Sequence, residues 1–188
     1  MDYSPDPVRA AGPPAVTEGT PDGPIVLVLD PAGAAKHDGL PATWRPFADR
    51  WRIVWCRMPA DGGLSEADEI LADPPVGGRS VHLVASGPFG EAALGLAERH
   101  PEAVRAVLLV DPAASGYVEA GDGASADEYW EQDTAPRRAA LARSGVDVRV
   151  IAHSEGGARD RVPAPLPLGH PDVAEAVRKS VAELGRKE

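Results

Sequence analysis

Short apolar blocks set the rhythm of this chain, IVLVL at 25–29, IVWC at 53–56, VHLV at 81–84 and AVLLV at 106–110, and VDVRVIA at 146–152 forms the last clear strand. Blocks of this length, rich in β-branched residues, read as strands buried on both faces, as in a parallel sheet. Between them the apolar positions change period. Phe89, Ala93, Leu96 and Ala97 repeat at helical spacing after Pro88, a residue suited to a first helical turn because its missing N–H has no intrahelical partner to lose. That helix ends near His100-Pro101, so residues 79–112 read as strand, sharp turn, helix, strand, a βαβ crossover.

Elsewhere the pattern is punctuated by caps and breakers. Trp44, Phe47 and Ala48 mark a short helix within 40–50. Ser65 with Asp68 caps another that runs to about Ala72 and stops at Asp73-Pro74-Pro75. Ser125 and Glu128 form a capping box for a helix through Tyr129 and Trp130. Pro136 interrupts that pattern, and a second helix runs to about Arg143, with Gly145 as terminator. A final helix begins at Asp172. Residues 1–24 are rich in Pro, Gly and acid without periodicity and read as a flexible arm, with a short strand near 15–17; residues 25–188 form the single domain.

Composition narrows the range of partners. A chain of 188 residues suits one domain with a sizeable core. With 19 Lys and Arg against 29 Asp and Glu, its net charge of −10 argues against nucleic acid and anionic membrane surfaces. Its one cysteine excludes an internal disulfide and any multi-cysteine metal site, and no metal or other cofactor is implied. No run is long and apolar enough for a membrane span, and the first 23 residues lack the basic start and apolar core of a signal peptide. The expectation is a soluble, cytoplasmic protein.

The stretch VHLVASGPFGEAALGLAERHPEAVRAVLLVDP, 81–112, resembles the heart of the α/β-hydrolase family, in which the turn after the first of these strands is the nucleophile elbow, G-x-S-x-G. The resemblance extends over most of 24–184. It implies a doubly wound, mostly parallel sheet with a cleft at the carboxyl ends of its strands, a reduced lid over about 113–145 and a trimmed C-terminal part. In a gapless register Ala85, Gly87 and Phe89 stand on the motif's Gly, Ser and Gly, so the serine position holds Gly87. Ser86 offers a hydroxyl one residue early. The residue after the nucleophile position, which in the family donates an oxyanion-hole N–H, is Pro88 and has none; losing one such donor costs about 100- to 1,000-fold in acyl transfer. Asp30-Pro31 replaces the family's His-Gly, and Arg57 stands where the loop resembling DLPGHGRS usually has Asp.

What the resemblance implies for the remaining machinery is loosely matched. Asp160, before Arg-Val-Pro, or Asp111 corresponds to the acid, and His170, after Gly169, to the histidine. His153 is an addition at a strand's carboxyl end, where open α/β sheets place ligands. Asp30, Ala32, Gly87, His153, Tyr129 and Trp130 are the candidate ligand contacts. The leading expectation is a small hydrolase-like protein without serine-dependent ester hydrolysis. It would bind a small apolar ligand in the cleft and assist a non-hydrolytic reaction with Asp30, Asp111, His153 or His170. Two alternatives stand beside it: an esterase or thioesterase with a displaced triad of Ser86, His170 and Asp160 or Asp111, and a non-catalytic interaction module, with a homodimer as partner.

Overall fold

The computed structural model describes residues 12–31, 39–58, 62–74, 80–114, 123–154 and 164–186. They form a six-stranded mixed sheet in the order β1-β3-β2-β4-β5-β6, with β1 Ala15–Gly19, β2 Ile25–Asp30, β3 Arg52–Arg57, β4 Val81–Ser86, β5 Val104–Val110 and β6 Asp147–Ala152. Only β1 runs antiparallel, along β3. β2 pairs in parallel with β3 and β4, β4 with β5, and β5 with β6. The crossover read from 79–112 is therefore parallel, and the chain belongs to the α/β class. The expected strand near 15–17 is β1, so sheet pairing reaches into the stretch read as an arm.

The unbroken apolar blocks explain which strands lie at the centre. β2 and β4 are buried at every position, because each has a strand on either side and helices above and below. Side chains alternate between two clusters. Leu27, Leu29, Leu83, Ala85, Val107 and Leu109 pack towards α1 Gly63–Ala72, α2 Phe89–Arg99 and α3 Gly123–Arg143. Val26, Val28, Val84, Leu108 and Val110 pack on the other face against Trp44, Trp51 and α4 Pro171–Gly185. On that face Trp44 meets Trp55 edge-on, with ring centroids 5.0 Å apart, and its indole N–H donates to Leu168 O at 2.7 Å.

Three local expectations are corrected. The helix read over 40–50 is a single 3-10 turn, Arg45–Phe47, with Pro46 inside it. α1 starts two residues before Ser65, with Gly62 as its N-cap, so Ser65 lies within the helix. The two helices separated at Pro136 are one, because side chains take over around the proline. Thr134 Oγ1 donates to Trp130 O at 2.7 Å, and Arg138 donates to Glu131 O at 2.9 Å and to Thr134 Oγ1 at 3.2 Å. α3 packs on the sheet through Trp130 and Leu141 and is clamped to α2 by Arg137, which grips both carboxylate oxygens of Glu98 at 2.7 and 3.0 Å and also binds Glu91. Gly145 ends it at φ 85° as expected. No helix among the described residues is long and apolar enough to cross a membrane.

Candidate functional site

β4 and β5 end side by side, and the chain leaves both through left-handed backbone: φ is 54° at Gly87 and 44° at Asp111. Gly87 tolerates this freely, whereas Asp111 is a rare non-glycine exception. Gly87 N donates to Val110 O at 3.0 Å and Gly87 O accepts from Gly90 N at 3.0 Å, which turns the strand sharply into α2. The left-handed residue of this bend is 87 rather than 86.

The space above the bend is occupied. A Cβ placed on Gly87 would lie 2.9 Å from Pro165 Cγ and 3.1 Å from Ala114 O, closer than carbon and oxygen neighbours normally approach. The two amides next to the bend are not free donors either: Gly87 N–H is committed to Val110, and Pro88 has no N–H. Ser86, the alternative hydroxyl, is the last residue of β4 and is 1% exposed. By strand alternation it shares the face of Val84, so it points into the α4 layer rather than up from the turn.

Asp111 is a fastener. Its carboxylate accepts from Ser154 N at 2.6 Å and from Leu166 N at 2.7 Å, so it joins the end of β5 to the segment after β6 and to the segment before α4. Its own N–H donates to Ala152 O at 3.0 Å and its carbonyl accepts from Ala114 N at 3.0 Å. Charge-assisted bonds of this length offset the cost of an L-residue in left-handed backbone. The residue that holds Leu166 thereby positions Pro165 over Gly87.

The remaining candidates are dispersed. His170 caps α4: its Nδ1 accepts from Asp172 N at 3.3 Å and lies 3.8 Å from Asp172 Oδ2. No hydrogen bond or ion pair among the described residues joins it to Ser86 or Asp111. Asp30 is wholly buried at the end of β2 and accepts from Trp55 Nε1 at 2.9 Å; it stands in register with Arg57, also buried, whose guanidinium donates to Pro13 O at 3.1 Å. His153 is half exposed, 3.9 Å from Asp127 Oδ2. Tyr129 is 72% exposed, while Trp130 lies in the core with Arg138 5.3 Å from its ring centre. Asp160 and Ala32 lie outside the described residues. Among the described residues no cluster of three or more His, Cys, Asp or Glu could hold a metal ion.

Two further buried titratable groups lie in the sheet, Cys56 near the carboxyl end of β3 and His82 near the start of β4. Burial, with Glu66 adding to it, pushes the Cys56 thiol up to about 12, which leaves no thiolate to react. Burial likewise pushes His82, near the start of β4, down to about 4, helped by the Arg105 charge; its Nδ1 has no hydrogen-bond partner among the described residues. Sequence reasoning missed Pro165, Ala114, Ser154 and Leu166, the residues that fill or brace the turn. Compared with known proteins, the sequence matches no family model and no curated protein.

Proposed function

We propose that this chain is an α/β-hydrolase-like protein that has lost serine-dependent ester hydrolysis and binds a small apolar ligand beside the turn after β4. The observation that carries the reading is Gly87: the left-handed bend is kept, the side-chain hydroxyl is gone, and Pro165 and Ala114 take the space it would need. An acyl-transfer site needs a nucleophile, a base within reach and donors for the oxyanion. At this turn residue 87 carries no nucleophile, the donors expected at 87 and 88 are taken or absent, and His170 is engaged with Asp172.

Around the turn Pro88, Phe89, Ala113, Ala114, Ala164 and Pro165 are open or partly open to solvent and apolar, with Ser154 beside them, which favours an apolar ligand over a charged one. Of the proposed acid/base groups, Asp30 and Asp111 are buried and hydrogen-bonded within the protein. His153 and His170 remain partly open to solvent, and proton transfer to a bound molecule falls to His153, whose ring is 52% exposed.

Two measurements test this. A fluorophosphonate probe is expected to leave the protein unlabelled; labelling that disappears in Ser86→Ala would establish the displaced triad instead. Nile red, an uncharged apolar dye, is expected to bind the folded protein saturably and one-to-one. Absence of both labelling and dye binding would overturn the ligand-binding reading in favour of a non-catalytic interaction module.

A further inference from the structure

The two outer strands of the sheet are unlike. β1 carries Glu18 and Gly19 and one buried residue, Val16, whereas β6, Asp-Val-Arg-Val-Ile-Ala, is half-buried at every position and two-thirds apolar. Among the described residues β6 pairs with β5 alone, so its other edge offers backbone N–H and C=O groups to a further strand. Among the described residues neither flank crosses that edge. After β6 the chain turns back to β5, where Ser154 N is held by Asp111, and before β6 the Gly145 turn leads from α3.

Charges usually protect such an edge, but here they are neutralised. Arg149 binds Asp147 Oδ2 at 2.7 Å and Glu183 Oε2 of α4 at 3.0 Å, which places Asp147 and Arg149 on the α4 face, while Val148 and Val150 lean towards the opposite helices. A groove of about 450 Å³ runs beside the strand, between Val150 and Ile151 on one side and Ala176 and Lys179 of α4 on the other.

We propose that β6 is a dimerisation edge that pairs antiparallel with β6 of a second copy. The argument for a second copy is the order of charges. In a two-fold pairing centred on Val148, Asp147 of each chain lies opposite Arg149 of the other, and Val148 lies against its own equivalent. The strand is therefore complementary to itself, and the groove leaves room beside the added strand. This proposal does not depend on the reading of the turn after β4.

Sedimentation equilibrium tests it, with far-UV circular dichroism confirming that each variant is folded. The unaltered protein is expected to sediment at twice the 19.6 kDa chain mass. Asp147→Arg leaves two arginines on the strand and Arg149→Asp leaves two aspartates, so each variant alone is expected to be monomeric, with like charges facing each other. An equimolar mixture of the two is expected to regain the dimer mass, because opposite charges then face each other in both positions. A monomeric unaltered protein overturns the proposal and leaves the edge to a strand from another protein. So do single variants that stay dimeric, or a mixture that stays monomeric.

Discussion

Gly87 and Asp111 occupy equivalent places, at the ends of neighbouring parallel strands and in the same left-handed backbone region, yet one has no side chain and the other has a carboxylate bonded twice to main chain. The difference shows where local strain is tolerated and why. At Gly87 nothing resists the bend, and the vacated space is closed by Pro165. At Asp111 the bend is held by bonds to residues 43 and 55 positions away, and those bonds keep Pro165 where it is. The two turns form one mechanical unit, with Asp111 as its fastener.

The largest effect should come from breaking that fastener. Asp111→Ala removes both acceptors, leaves two amides short of partners and keeps a side chain in left-handed backbone, so a loss of about 3–5 kcal/mol is expected in urea unfolding. Asp111→Asn, which keeps one acceptor and tolerates the backbone, should lose clearly less. Equal losses for the two variants would show that the carboxylate does not hold Leu166.

Further down β4, His82 extends the contrast to a buried group with no compensating bond. Its folded value, about 4, lies below the 6.5 of an exposed histidine, so between these values the unfolded chain binds a proton that the folded chain refuses. Stability attributable to His82 is therefore full above pH 6.5, falls as the pH drops towards 4 and levels off below. The total is about 3 kcal/mol at 1.36 kcal/mol per unit. Urea midpoints of His82→Leu followed over this range should fall less steeply than those of the unaltered protein, and parallel curves would refute the assignment.

The smallest effect sharpens the Gly87 side. Gly87→Ser puts a side chain into left-handed backbone and against Pro165, at an expected cost of about 1–3 kcal/mol. Adding Pro165→Ala should recover part of that loss, giving a non-additive pair. Neither variant should hydrolyse p-nitrophenyl acetate above the background rate, since Pro88 still withholds the donor.

Strands were legible because unbroken apolar blocks of five or so residues have few other uses, and the 79–112 crossover followed from one such block, a Gly-Pro turn and a helical repeat. α3 was misread because Pro136 is locally a breaker, and its repair depends on Thr134 and Arg138 side chains folding back on the helix. That residue 87 is a glycine without a hydroxyl and residue 88 a proline without an amide proton could be read directly from the sequence. The obstruction could not. Pro165 and Leu166 follow Gly87 by more than 70 residues, and no local pattern announces that a strand-end aspartate will reach them.

Cys56, buried next to the carboxyl end of β3, gives the molecule a chemical clock. With its thiol wholly shielded and held protonated, an alkylating reagent can reach it only when β1 or the helical layers come away, so modification counts openings of the sheet rather than collisions at the surface. One thiol among 188 residues makes that count unambiguous.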